Sequence, residues 1–203
     1  MPDSSTSSGE AHGVGTEYVG PLADESLDPA IVSSDLAFHG RVWDIRRDVF
    51  DYNGHEITRD YVDHPGAVAI LAVDDRERVL LIQQYRHPVR LREWELPAGL
   101  RDIAGEDPLV AAQRELGEEV DLVASQWSEL LTFNTSPGGS NETIIIYLAR
   151  GLVATETAFD RHEEEADIVV RWVPLADAVA GVLAGDLRNS ILAIAVLAAH
   201  ARS

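Results

Sequence analysis

Three glutamates on one predicted helix are spaced so that they could bind a metal ion together. Pro108 suits the first turn of a helix, where its missing N–H costs nothing, and a helix is predicted from there to about Val120. At about 100° per residue, Glu118 and Glu119 then lie on either side of Glu115. Like charges at this spacing repel each other, and a hard divalent cation with oxygen ligands relieves the repulsion. For a glutamate cluster taken alone, a solvated acidic helix face is the commoner alternative.

The pattern around this helix resembles the Nudix box, the signature of the Nudix family. The box is a glycine, a glutamate, seven residues, Arg-Glu, two residues, Glu-Glu, one residue, and then glycine and an aliphatic residue. This chain has six residues rather than five between Gly99 and Glu106, and Asp121 replaces the final glycine. Neither departure removes an acidic group, because a longer loop costs little and Asp tolerates the left-handed conformation better than most residues. The matching residues are Gly99, Glu106, Arg114, Glu115, Glu118, Glu119, Asp121 and Leu122.

The resemblance implies a Nudix-type α/β/α sandwich with a mixed sheet, which is an α/β (α+β) fold. It also implies hydrolysis of a pyrophosphate bond with Mg²⁺, or with Mn²⁺ as a substitute. Glu115 and Glu119 are the first candidates for metal ligands because they lie one helical turn apart, and Glu118 is the third. The resemblance adds the carbonyl group of Ala98, in the turn before the box, as a further ligand.

The general base is expected to lie outside this helix. In Nudix enzymes that hydrolyse ADP-ribose, a glutamate in a loop beyond the box serves as the base, and the resemblance assigns this role to Glu142. Glu118 is the alternative base if metal does not occupy it fully. Arg114 and Glu106 are instead expected to form an ion pair that holds the preceding loop to the helix.

Two arginines and one proline indicate the substrate. Guanidinium groups bind phosphate oxygens bidentately, so Arg59 and Arg86 are candidates for the diphosphate. The segment Gln-Tyr-Arg that ends at Arg86 resembles the ADP-ribose pyrophosphatases, whereas a surface role is an equal alternative for Arg59. Pro137 lies sixteen residues after Asp121, and a proline at about this distance marks Nudix enzymes that act on ADP-ribose. We therefore expect cleavage of ADP-ribose to AMP and ribose 5-phosphate.

Two other functions stay open at this point. The protein could hydrolyse another nucleoside diphosphate compound, such as a sugar nucleotide or a dinucleoside polyphosphate. It could also be a nucleotide-sensing module that keeps the fold without turnover. The intact glutamates favour an enzyme, whereas Asp121 and the extra loop residue leave a sensor open.

The composition excludes several kinds of chemistry. All 16 basic residues counted as Lys or Arg are arginines, and cysteine is absent, which excludes Schiff-base lysines, thiol nucleophiles and disulfides. The net charge of −19 argues against nucleic acid and anionic membranes as partners and leaves a small-molecule nucleotide. A cytoplasmic location is expected, since no stretch has the form of a signal peptide or a membrane span.

The N-terminal part is predicted to be a tail followed by a small sheet. Residues 1–34 are expected to form a disordered or extended acidic tail. Residues 35–63 contain a β-rich run broken by Asn53-Gly54, which predicts an antiparallel hairpin extension. The resemblance implies that two subunits of a homodimer exchange this sheet. Trp43 or Tyr52 could then offer an aromatic surface to adenine.

Residues 64–203 are expected to form the Nudix hydrolase domain. The apolar runs 67–73 and 79–84 suit paired central strands, joined by a charged turn. Further strands are predicted at 128–133, 143–148 and 168–173, helices at 175–183 and 190–199, and an exposed acidic turn at 161–167.

Overall fold

A computed structural model of the chain describes residues 19–156 and 168–202. The predicted acidic turn at 161–167 and the first 18 residues of the predicted tail therefore lie outside the described residues. Residues 19–30 contain no helix or strand. The first strand begins at Ile31, a few residues before the predicted start of the sheet.

Ten strands and three helices form in the described residues, and the strands make three sheets. The sheet orders are β1-β2-β3, β10-β5-β6 and β7-β4-β9-β8. No helix within residues 19–156 and 168–202 combines the length and the apolar character needed to cross a bilayer. In chain order the elements are β1 (Ile31–Phe38), β2 (Asp44–Tyr52), β3 (His55–Asp63), β4 (Ala67–Ala72), β5 (Arg78–Arg86), β6 (Leu91–Glu95), β7 (Ala98–Leu100), α1 (Pro108–Val120), β8 (Leu122–Asn134), β9 (Thr143–Ala154), β10 (Val169–Pro174), α2 (Leu175–Ala184) and α3 (Ser190–Ala201).

Strand β4 lies at the centre of the molecule, and all of its residues are buried. Its odd-numbered residues join a core cluster with α2 and α3, whereas its even-numbered residues join a second cluster with α1. Burial on both faces explains why the sequence of β4 is a continuous apolar run without alternation. Helices thus cover both sides of a mixed sheet, in which β4 and β9 are parallel. This arrangement confirms the predicted α/β/α sandwich.

The prediction that runs 67–73 and 79–84 are paired neighbours is wrong. Strand β4 lies between β7 and β9, whereas β5 lies between β10 and β6 in a different sheet. The two strands meet in an antiparallel bridge between Val73 and Val79 and then diverge. Both contribute side chains to the same two core clusters, so their apolar character is the same as it would be for side-by-side strands.

The N-terminal extension is an antiparallel three-stranded sheet, as predicted. Asn53 and Gly54 turn the β2–β3 hairpin with φ angles of 55° and 79°, the left-handed values that favour an Asn-Gly pair. Several large apolar side chains of this sheet are more than half exposed to solvent. They are Ile31, Val32, Leu36 and Phe38.

Helix α1 has the predicted bounds, because its end signals are local. Pro108 occupies its first turn, and the Asp107 side chain caps it by accepting a hydrogen bond of 2.8 Å from the Leu109 N–H. Asp121 ends the helix in a left-handed conformation, with φ 56° and ψ 39°. Asp121 therefore adopts the conformation expected at the final-glycine position of the box.

Candidate active site

The Glu119 carboxylate joins strand β7 to helix α1. Glu119 is 6% exposed, and its Oε2 accepts a hydrogen bond of 2.9 Å from the Ala98 N–H. At Gly99, a Cβ atom would overlap the carboxylate of Glu115. The first glycine of the box thus provides the space that Glu115 occupies. Two of the three candidate metal-binding carboxylates lie against the backbone of β7.

The substitution Gly99→Ala is expected to lower kcat by about 100-fold, because it displaces the Glu115 carboxylate and small misplacements in an active site have effects of this size. The φ angle of Gly99 lies outside the left-handed region, so alanine itself is not strained there. The midpoint of thermal unfolding should therefore stay close to that of the wild type. An unchanged kcat in a folded Gly99→Ala protein would show that the position of Glu115 is unimportant.

Arg114 links the loop before α1 to the carboxylates on the helix. Its Nε and Nη2 donate to the two Glu106 oxygens at 3.2 and 3.1 Å. Its Nη1 donates to Glu115 at 2.7 Å and to Glu118 at 3.0 Å. The hydrogen bonds to Glu106 are the main cause that raises the pKa of Arg114 above its ordinary value. The predicted ion pair between Glu106 and Arg114 is confirmed.

The acidic residues of α1 fit a hard divalent cation in their chemistry and in their placement. Glu115, Glu118 and Glu119 offer carboxylate oxygens, which are the ligands that Mg²⁺ prefers. Within the described ranges, no three acidic or histidine side chains converge on one point. Instead, Arg114 Nη1 lies between Glu115 and Glu118 and neutralises them. Metal ligation by these residues, and by the Ala98 carbonyl, stays a prediction.

Contacts from two different elements hold Glu142 at the end of the Gly-rich loop. Its Oε2 accepts a hydrogen bond of 2.6 Å from Thr135 Oγ1, and its Oε1 lies 3.3 Å from His64 Nε2. Its backbone N–H donates to Ser140 Oγ at 3.1 Å. The side chain is 23% exposed, so solvent reaches the carboxylate.

The register of the mixed sheet brings the Glu142 loop and the start of the box to the same end of β4. Ala67 pairs with Leu100 of β7 on one side and with Ile144 of β9 on the other. Neighbouring strands lie about 4.8 Å apart, so the two outer backbones are roughly 10 Å apart. The loop that carries Glu142 and the turn at Gly99 therefore flank one strand.

The predicted substrate residues line two cavities. Arg59 and Pro137 border a cavity of about 480 Å³, together with the loop residues that precede Glu142. Arg86 and Ala98 border a second cavity of about 280 Å³. The structure thus brings each predicted arginine together with one other predicted site residue.

Arg86 is anchored by a glutamate that the sequence analysis did not single out. Its Nε and Nη2 donate to the two oxygens of Glu95 at 2.9 and 2.7 Å. The Glu95 side chain is 5% exposed and also accepts a hydrogen bond from Gln84 Nε2 at 3.3 Å. Such a bidentate pair fixes the plane of the guanidinium group at the cavity wall.

Sequence reasoning missed Glu95 and His64 for different reasons. Glu95 lies between Trp94 and Leu96, and a glutamate between large apolar residues signals burial beside a cation. His64 lies 78 residues from Glu142, so no spacing in the sequence links them. Of the two aromatic candidates, Trp43 stacks on His64 and Tyr52 is 43% exposed at the end of β2.

The fold and the site together define a class of protein. A mixed sheet between helices places a carboxylate-bearing helix directly after a glycine turn, as in the Nudix box. A family model described as the NUDIX domain matches residues 63–193. The chain belongs to the Nudix family of hydrolases.

Two relatives match this chain over most of their length. An ADP-ribose pyrophosphatase of Mycobacterium tuberculosis (strain ATCC 25618 / H37Rv) is 46% identical over 84% of this chain and 82% of its own. An ADP-ribose pyrophosphatase of Bacillus subtilis (strain 168) is 34% identical over 85% of this chain and 92% of its own. A crystal structure of an ADP compounds hydrolase superimposes with a TM-score of 0.71 at 22% identity, over 88% of this chain and 95% of that one. This superposition confirms the fold.

Proposed function

We propose that the protein hydrolyses the pyrophosphate bond of ADP-ribose and releases AMP and ribose 5-phosphate. The observation that carries the proposal is the acidic face of α1, intact and placed beside the same strand as the Glu142 loop. The substrate is supported by the 46% identity to a relative named ADP-ribose pyrophosphatase, over most of both chains.

Mg²⁺ is the proposed metal, with Mn²⁺ as a substitute. Divalent-metal dependence is general in this family, and the oxygen-rich ligands suit either ion. Glu115, Glu118, Glu119 and the Ala98 carbonyl would hold the metal, which supplies neutralisation of charge on the phosphoryl oxygens. Arg114 neutralises part of the same cluster and keeps Glu115 beside Gly99.

Glu142 is the proposed general base, which accepts a proton from the attacking water. The contacts with Thr135 and His64 fix the direction of its carboxylate, and its partial exposure admits water. Glu118, the alternative base, is bound to Arg114 at 3.0 Å and is 41% exposed. An ion pair with arginine stabilises a carboxylate and makes it a weaker base, which favours Glu142.

The two arginines are proposed to bind the substrate from different cavities. Arg86 is oriented by Glu95 and offers a fixed guanidinium plane to the diphosphate. Arg59 and Pro137 border the cavity of about 480 Å³, which is within the usual size range of ligand pockets. Part of the nucleotide is proposed to lie there, next to the Glu142 loop.

A homodimer with an exchanged N-terminal sheet is proposed as the assembly. The support is the row of exposed apolar side chains on β1, including Leu36 and Phe38 at 54% and 64% exposure. Exposed apolar surface of this kind is typical of interfaces between subunits. The partner in this proposal is a second copy of this chain.

The proposed substrate is tested by a comparison of hydrolysis rates at saturating Mg²⁺. ADP-ribose should give a kcat/KM at least about 10-fold above those of sugar nucleotides and dinucleoside polyphosphates, since differences in a few polar contacts have this size. A preference for another compound would replace ADP-ribose as the substrate. Tight binding of ADP-ribose without release of AMP would instead identify a nucleotide sensor.

A further inference from the structure

We infer that His64 is a positioning residue for Glu142 and that it ties the catalytic loop to the N-terminal sheet. This inference rests on the proposed role of Glu142 as the general base. His64 lies just after β3, and its side chain is 7% exposed. Its Nε2 lies 3.3 Å from Glu142 Oε1, while Thr135 binds the other carboxylate oxygen.

The hydrogen bonds of the His64 ring determine which nitrogen carries the proton. Nδ1 accepts a hydrogen bond of 3.0 Å from the Gly66 N–H, so it must present a lone pair. The ring proton is therefore on Nε2, the atom that faces Glu142. The imidazole thus presents a donor to the carboxylate while it stays neutral.

Backbone and side-chain contacts hold the end of β3 to the loop that carries Glu142. The Val62 N–H donates to the Gly139 carbonyl at 2.9 Å, and the Asn141 N–H donates to the Val62 carbonyl at 3.3 Å. The Asn141 side chain accepts from the His64 N–H at 2.7 Å and donates to Asp63 Oδ1 at 2.9 Å. These bonds fix the residue before Glu142 to the two residues that flank His64's position in the chain.

Trp43 fixes the orientation of the His64 ring. The two rings are stacked, with centroids 4.2 Å apart and an interplanar angle of 28°. Trp43 lies immediately before β2, so this contact connects the N-terminal sheet to the carboxylate through one side chain. Each carboxylate oxygen accepts up to two hydrogen bonds, so Glu142 can bind a water in addition to its two protein contacts.

Three substitutions of His64 separate its donor from its bulk. In His64→Gln the amide nitrogen can replace the Nε2 donor, whereas in His64→Asn the amide reaches only the Nδ1 position. His64→Phe keeps a ring to stack on Trp43 without either nitrogen. We expect kcat to fall by about 10- to 100-fold in the Asn and Phe variants, as for other residues that orient a reactive group. The Gln variant should keep kcat within about 5-fold of the wild type, and KM should change little in all three.

His55→Asn serves as the matched control, because His55 is an exposed residue of β3 outside the site. Its kcat should equal that of the wild type. Equal losses of kcat in the Gln and Asn variants of His64 would overturn the inference, since both remove the ring but only one removes the donor. Thermal unfolding of the Phe variant, which keeps the stacking, shows whether a loss of kcat reflects unfolding.

A double substitution separates this inference from the proposed base. If His64 acts through Glu142, then His64→Asn should lower kcat no further in a Glu142→Gln background. If the two losses of kcat multiply, His64 acts independently of Glu142 and the inference is wrong. A nearly normal kcat in Glu142→Gln alone would contradict the proposed base instead.

Discussion

Glu142→Gln is expected to lower kcat for ADP-ribose by at least about 100-fold, the usual scale for loss of a general base. The amide is nearly isosteric with the carboxylate, and its oxygen can still accept the hydrogen bond of Thr135. KM should therefore stay within about 3-fold, because the substitution removes proton transfer rather than substrate binding. Steady-state kinetics at saturating Mg²⁺ measures both quantities.

The control for this variant is Glu56→Gln, an isosteric change at an exposed residue of β3. Its kcat should match that of the wild type. The Mg²⁺ concentration that gives half-maximal activity should be unchanged in Glu142→Gln, since Glu142 is not one of the proposed metal ligands. A nearly normal kcat in Glu142→Gln would transfer the role of base to another glutamate, with Glu118 the first candidate.

Glu119→Gln is expected to have an effect of similar size by a different route. A bound metal contributes several kcal/mol to stabilising charge in the transition state, so the loss of one carboxylate ligand should lower kcat by about 100-fold or more. The amide oxygen of glutamine can still accept the hydrogen bond from the Ala98 N–H, which keeps β7 and α1 together. The fold should therefore survive the substitution.

The readout that distinguishes Glu119→Gln from Glu142→Gln is the dependence on metal. A titration of activity with Mg²⁺ should show half-maximal activity at a clearly higher concentration in Glu119→Gln than in the wild type. Glu129→Gln is a suitable control, because Glu129 lies on β8 outside the acidic face of α1. A Glu119→Gln protein with the Mg²⁺ dependence and kcat of the wild type would remove Glu119 from the metal site.

Helix α1 could be predicted from the sequence to the residue, because each signal for it is local. Pro108 marks its first turn and Asp121 ends it, and the structure places both at those positions. The Asn53-Gly54 hairpin was predictable for the same reason, since the two residues alone favour the left-handed turn that they adopt. Both elements depend on contacts between residues close in sequence.

The pairing of β4 and β5 was not predictable from their apolar runs, because it depends on distant partners. Strand β4 pairs with β9, which begins more than 70 residues later, and β5 pairs with β10 near the end of the described chain. Burial makes both runs apolar, whichever strands lie beside them. The sequence analysis therefore predicted two buried strands correctly and their relation to each other wrongly.

The candidate site shows the same division between local and distant contacts. The acidic face and the Glu106–Arg114 ion pair follow from positions within one short segment. The contact of His64 with Glu142 joins residues 78 positions apart, and only the folded chain brings them together. The Glu95–Arg86 pair lies between these cases, since neighbouring strands of one sheet carry both residues.

The most direct test of the proposed hydrolysis is product analysis by mass spectrometry after incubation of the protein with ADP-ribose and Mg²⁺ in ¹⁸O-labelled water. We expect AMP and ribose 5-phosphate in equal amounts, with one labelled oxygen in the phosphate group of one product, and no products when the metal is removed by a chelator. ADP-ribose that stays intact at saturating Mg²⁺, or products cleaved at another bond, would contradict the proposed function.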